Sequence, residues 1–269
     1  MTAMGSSILF IGAGRMAEAV IAGIAADRES PFERITVANK SNQEKRDRLA
    51  AEYGVHATDD WLQVIQNHDV IVLAAPPSAH GDLLNAVAPL WKGQLIVTLA
   101  AGIDPEYMEA RLPAEAPVCW IMPNTAAQIG ESMTTFVCGN AVTSAHRPLI
   151  EGLLQAIGPA EELTAAQVHE LTAVTGSAPA FMYYIASALQ EAAAATGISE
   201  EQAQRLVVQM MKGSAAMLAT GKEPKDLMQQ VASPGGSTAE GLHVLETYHV
   251  DRIIKQAVEA VNRHAGGNT

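Results

Sequence analysis

Cysteine is scarce in this chain of 269 residues. There are two, Cys119 and Cys138, with no CxxC pair and no histidine cluster beside either. This is not the pattern of a disulfide framework or a cysteine-based metal site, and both cysteines read as reduced thiols of a cytoplasmic protein. Positive charge is short as well: 17 Lys and Arg against 29 Asp and Glu leave a net charge of −12. Such a surface has no broad attraction for nucleic acid or an anionic membrane, so an anionic ligand must be held by local amides or a few local cations. No hydrophobic run is long enough to span a bilayer. The apolar start lacks a basic flank and is broken by Gly12, Gly14 and Arg15, so it reads as neither signal peptide nor membrane span. HExxH, P-loop and GxSxG motifs are missing, and no Cys pair shows metal-ligand spacing. Of the eight histidines, His56, His146 and His264 read as surface residues and His169 and His243 as helix-face residues.

What is present is a globular composition, 48% hydrophobic and 17% charged, arranged in two styles. Short apolar runs alternate with helical patterns through the first part: "SILFIG", "ITVAN", "DVIVLAA", "QLIVTLAAG" and "PVCWIM". Continuous apolar strands separated by helices predict a parallel sheet covered on both faces. After Leu163 only helical patterns follow. "AQVHELTAVTG" predicts one helix and "SAPAFMYYIASALQEAAAATG" a second with Pro179 in its first turn; Ser199 caps a third. The chain is therefore read as an α/β dinucleotide-binding domain over 1–162 and an all-helical domain over 163–269. Several of these helices are apolar around much of their circumference, which predicts that they pack against a second copy.

The stretch "ILFIGAGRMAEAV" places Gly12, Gly14 and Ala17 in a GxGxxA pattern between an apolar strand and a helix. Gly12 suits a tight turn, Gly14 a close backbone approach to a pyrophosphate, and Ala17 close helix–strand contact. The helix start then offers free N–H groups to the phosphates. At the end of the second strand, where an acidic residue would bind a ribose 2′-hydroxyl, stand Asn39, Lys40 and Ser41. An amide, a cation and a hydroxyl suit a 2′-phosphate, which favours NADP(H) and leaves NAD(H) open.

In the helical half, "VASPGGSTAEGL" sets Pro234, Gly235 and Gly236 before Ser237 and Thr238 at a new helix start. Amides converging there suit a small carboxylate. A site rich in amides and hydroxyls but poor in strong acids fits hydride transfer to a protonated C=N bond, whose carbon is already electrophilic. A β-hydroxyacid dehydrogenase shares the glycine loop and helical half, but Lys212 lies in "VVQMMKGSAAM", unlike the catalytic lysine of that class. A sensor that binds NADP without turnover would have no need of a second anion site.

Through "IGAGRMAEAV", "AAGI", "MPNTAA", "LTAVTGSAPAF" and "SPGGSTAEGL" the chain resembles the pyrroline-5-carboxylate reductase family almost end to end. The resemblance implies a Rossmann domain with a doubly wound, mostly parallel sheet, followed by a helical dimerisation domain, with dimers often gathered into decamers. It implies NADPH-dependent reduction of 1-pyrroline-5-carboxylate to L-proline. By the family pattern Gly12, Ala13, Gly14, Arg15, Met16, Ala17, Asn39, Lys40, Ser41, Ala74, Ala75, Pro76, Ala100, Ala101, Gly102 and Asn124 bind the cofactor. Gly236, Ser237 and Thr238 hold the substrate carboxylate, Thr238 is the catalytic residue as proton donor or, mainly, as the group that orients the imine, and Thr175 supports it. The chain departs from the pattern at Trp120 (usually Arg), Ala126 (usually Pro), Pro76 (usually Lys), Thr175 and Ala178, which leaves a paralogue acting on a related cyclic imine, or a weakly active regulatory protein, as alternatives.

Overall fold

The structure is a computed structural model that describes residues 5–266. Its chain divides into two compact units, one running to Ser177 and taking back the chain from Asn262, the other Ala178–Val261. The first unit alternates strands and helices: β1 (Ser6–Ile11), α1 (Arg15–Ala26), β2 (Phe32–Ala38), α2 (Gln43–Tyr53), β3 (His56–Thr58), β4 (Val70–Leu73), α3 (His80–Val87), β5 (Leu95–Thr98), α4 (Pro105–Glu109), β6 (Val118–Met122), β7 (Thr134–Cys138), α5 (Arg147–Gln155), β8 (Ala160–Glu162) and α6 (Ala165–Thr172). The strands form one sheet in the order β3-β2-β1-β4-β5-β6-β7-β8. All neighbours are parallel except β6 and β7. The first six strands have the doubly wound order of a Rossmann domain.

Alternation along each strand sends side chains to two separate layers. Ile8 and Phe10 pack with Val20, Ile21 and Ile24 of α1 and with Leu153 and Leu154 of α5. Leu9 and Ile11 pack on the other face with Leu84 and Val87 of α3 and Met108 of α4. Burial on both faces explains why the inner strands read as unbroken apolar runs; each such side chain contributes about 1.5–3 kcal/mol. The five strands expected from sequence are present. β3, β7 and β8 are additional, and the helix expected around Trp61 is two short 3₁₀ turns, Trp61–Gln63 and Ile65–Asn67.

The expected break between two helices near Ser177 is not there. Helix α6 continues through a wide π-helical turn, Ala173–Ser177, into α7 (Ala178–Ala194), so Pro179 sits inside a continuing helix and not at a fresh start. In an α-helix the amide of residue 179 would bond the carbonyl of Thr175, and proline has no such amide. That carbonyl instead accepts from Asn124 Nδ2 at 3.0 Å. The second unit continues with α8 (Glu200–Leu218), α9 (Pro224–Val231), α10 (Ser237–Thr247) and α11 (Val250–Gly266), whose last residues belong to the first unit. Ser199 caps α8 through a reciprocal bond with Gln202, the arrangement that satisfies two free amides at once. No described helix is long and apolar enough to cross a membrane. Tyr183, Tyr184, Leu206, Ile253 and Ile254 stand exposed on the helical unit.

Candidate active site

The glycine turn is built by β1 and its neighbours. Gly12 donates its N–H to the Ala38 carbonyl at 2.9 Å and has φ +113°. A Cβ there would lie 2.6 Å from the Ala74 carbonyl oxygen, so the position requires glycine on two counts. Gly14 follows in extended conformation as the N-cap of α1, with no side-chain cap. The amides that open α1 therefore face open space with the positive end of the helix behind them. A Cβ at Gly14 would find only the Ala74 oxygen, 3.9 Å away, so packing within the protein does not itself require glycine here.

The loop after β2 is shaped by Asn39. Its Oδ1 accepts from the amides of Ser41 at 3.1 Å and Asn42 at 3.3 Å and from the Ser41 hydroxyl at 3.3 Å. The Arg46 guanidinium bonds the Asn39 carbonyl. Lys40 is exposed, and Lys45 lies 3.5 Å from Glu18. Residues 39–42 carry no carboxylate, and the cations around them leave the loop suited to a phosphate.

Two further loops, Ala74–Pro76 after β4 and Leu99–Ala101 after β5, complete a cleft of about 980 Å³. Buried His80 links them. Its Nδ1 faces the Pro76 carbonyl at 3.1 Å, and its Nε2 faces the Thr98 hydroxyl at 2.9 Å. A carbonyl only accepts, so Nδ1 carries the proton and the Thr98 hydroxyl donates to Nε2. The same hydroxyl accepts from the Ala100 amide at 3.1 Å. Burial holds the His80 imidazole below the ordinary histidine range, which keeps this relay neutral.

Of the cofactor residues expected from sequence, Gly12 to Ala17, Asn39 to Ser41, Ala74 to Pro76, Ala100 and Ala101 line this cleft. Gly102 lines a separate hollow with Asp104, Tyr107, His169 and Asn262. Asn124 lines neither; its Oδ1 accepts from the Ala126 amide at 2.9 Å, and its Nδ2 serves Thr175. Sequence reasoning missed Lys45, Trp61, Pro77, Asp82 and Leu83 on the cleft wall. Pro77 and Asp82 follow Pro76 closely enough to be inferred as a loop and first helical turn, whereas nothing near Trp61 signals its place. His169 is more than a helix-face residue: it packs on buried Trp120 with ring centroids 4.6 Å apart, and its Nε2 lies 3.5 Å from Asp104. The Trp120 indole N–H has no partner among the described residues.

The second unit presents the other loop. Gly235 turns with φ +72°, and Gly236, the N-cap of α10, donates its amide to the Ser233 carbonyl at 2.9 Å. The Gly236 amide is thus engaged within the turn. Those of Ser237 and Thr238, on exposed residues, have no acceptor among the described residues. In the first unit the Thr175 hydroxyl donates to the Leu171 carbonyl at 3.2 Å. No described group of three or more His, Cys, Asp or Glu could hold a metal ion.

Pyrroline-5-carboxylate reductase 1 of Bacillus subtilis (strain 168) is 33% identical over 254 residues, 94% of this chain and 86% of the relative. The chain belongs to the pyrroline-5-carboxylate reductase family. It is accordingly an oxidoreductase acting on a C=N bond. The family model "Pyrroline-5-carboxylate reductase dimerisation" matches residues 165–267, and "NADP oxidoreductase coenzyme F420-dependent" matches 7–102. Among solved structures, a pyrroline-5-carboxylate reductase from Coxiella burnetii aligns with TM-score 0.84 at 30% identity, covering 97% of this chain and 98% of that one. The Plasmodium falciparum enzyme, solved with NADP bound, aligns with TM-score 0.86 at 25% identity over 97% of each chain. The glycine turn and the Ser237–Thr238 helix start therefore belong to a reductase of this family.

Proposed function

We propose that this reductase converts 1-pyrroline-5-carboxylate to L-proline with NADPH, as its family membership implies. The observation that carries the reading is the first unit's cleft, where unspent helix amides meet a carboxylate-free loop bearing Lys40. Gly12 to Ala17 would hold the pyrophosphate, Asn39 to Ser41 the 2′-phosphate end, and the loops of Ala74 to Pro76 and Ala100 to Gly102 the remainder. The cradle fits: Gly14 leaves space that a Cβ would fill, and Lys40 is free to turn toward a phosphate. When bound, NADPH supplies the hydride.

The chain's own groups bind and orient the substrate. The amides of Ser237 and Thr238 would hold its carboxylate, with Gly236 shaping the turn beneath them. The Thr238 hydroxyl would steady the ring nitrogen, and Thr175 would lend support. An alcohol is a poor stand-alone acid, so Thr238 acts by positioning; a protonated imine needs little further proton transfer. The helical unit would pair with that of a second copy, such dimers would gather into decamers, and the enzyme would work in the cytoplasm. The exposed apolar residues of α7, α8 and α11 support the pairing.

NADPH absorbance should fall when 1-pyrroline-5-carboxylate is added and hold steady with a hydroxy- or keto-acid. NADPH binding without oxidation would overturn the assignment in favour of a sensor. Thr238→Ala should lower turnover more than tenfold, about 1.4 kcal/mol. Wild-type rates in that variant would remove its role.

A further inference from the structure

Cys119 and Cys138, on consecutive strands, are register partners across the antiparallel junction of β6 and β7. The Gly139 amide donates to the Val118 carbonyl at 2.8 Å, which makes the neighbouring rung a hydrogen-bonded pair. The rung of Cys119 and Cys138 is then of the other kind, with Cα atoms about 4.5 Å apart and side chains close together on one face. A disulfide accepts Cα separations of about 4.4–6.8 Å, so the ladder already holds the backbone at a bridging distance. Both thiols lie on the layer that holds Ile121 and Phe136, facing one another across the ladder. Cys119 is buried, while Cys138 is half-buried and sits beside the Arg147–Glu162 ion pair.

We propose that Cys119 and Cys138 form a thiol-exchange site that closes reversibly into an intrachain disulfide when it meets a small-molecule disulfide. This site is independent of the reductase reaction. Cys138 attacks first, as the more accessible thiol. Contact with the Cys119 thiol and the nearby Arg147 guanidinium hold its thiol below the ordinary range, whereas the same contact and burial push the Cys119 thiol up. The Cys138 thiolate displaces one thiolate from the small disulfide, forming a mixed disulfide. Cys119 then gives up its proton and attacks the Cys138 sulfur, expelling the second thiolate. The protein loses two hydrogens, and the small disulfide leaves as two thiols.

These are the chain's two cysteines, so intact-mass spectrometry reads the outcome without ambiguity. The full-length native protein is incubated with oxidised glutathione, acid-quenched, and alkylated in denaturant. The expected product has lost the mass of two hydrogens, takes up no alkylating agent, and regains both thiols on reduction. Two alkylatable thiols, a stable glutathione adduct on Cys138, or a Cys138-linked pair of chains would each overturn the proposal. Cys138→Ser, at the half-buried position, should leave Cys119 without adduct and alkylated only after unfolding. A glutathione adduct on Cys119 in that variant would refute Cys138 as the point of entry.

Discussion

Replacing Gly12 by alanine places a Cβ 2.6 Å from the Ala74 carbonyl oxygen and 2.7 Å from its carbonyl carbon. Ordinary contact begins at 3.4 Å, so the neighbouring strand would have to retreat by about 0.8 Å, the difference between those two distances. It is poorly placed to do so, because the Ala74 amide is bonded to the Ile11 carbonyl at 2.9 Å on the other side of the same turn. Overpacking of this kind costs about 1–3 kcal/mol, and a non-glycine residue held at positive φ costs about 1–3 kcal/mol more. Gly12→Ala should therefore lose about 2–6 kcal/mol, a large part of the roughly 5–15 kcal/mol that holds a domain folded. Gly14→Ala is the control. Its Cβ meets nothing nearer than 3.9 Å, and its backbone is extended, so stability should fall by no more than about 1 kcal/mol from the poorer cap. NADPH affinity should nevertheless fall at least about tenfold, 1.4 kcal/mol. Urea unfolding and NADPH fluorescence titration separate the two effects. A Gly12→Ala unfolding midpoint equal to wild type, or Gly14→Ala with unchanged NADPH affinity, would refute the assigned roles.

Lys40→Asp should raise KM for NADPH far more than for NADH, since it sets a carboxylate where the 2′-phosphate would lie; equal effects would return Lys40 to the solvated surface. Asn124→Ala strips the partner from the Thr175 carbonyl and should cost about 1–3 kcal/mol in urea, leaving NADPH affinity unchanged. A rise in NADPH KM without lost stability would put Asn124 back on the cofactor wall. Burial lowers the pKa of His68 and of His80, so the folded chain binds fewer protons at these sites than the unfolded chain. Stability from both is complete above pH about 6.5 and falls as the pH drops below it. His80→Asn should flatten that fall in urea midpoints measured across this range; an unchanged slope would show that His80 does not contribute to it.

The legible parts of this fold were those whose residues answer to their own layer. Inner strands such as Val70–Leu73 are buried on both faces and must be apolar throughout, which a short run announces. Ala160–Glu162 joins the sheet by backbone alone, with two of its three residues exposed, so its sequence carries no strand signal. The glycine turn was readable because backbone geometry dictates its residues within six positions. Asn124 was not, since its partner at Thr175 lies 51 residues away, and the expected helix start at Pro179 failed for the same reason. The cysteine pair likewise depends on a register that only the folded ladder reveals.

Each outer margin of the sheet is a three-residue strand, His56–Thr58 on one side and Ala160–Glu162 on the other. Rows this short give an incoming chain too few open rungs to zip onto, so crowding should not drive these molecules into ribbons through their sheets. Stickiness is left to a different surface, where rings such as Tyr184, 78% exposed, stand in water on α7. A polar substitution there should leave the folded nucleotide-binding half untouched while altering how many copies travel together.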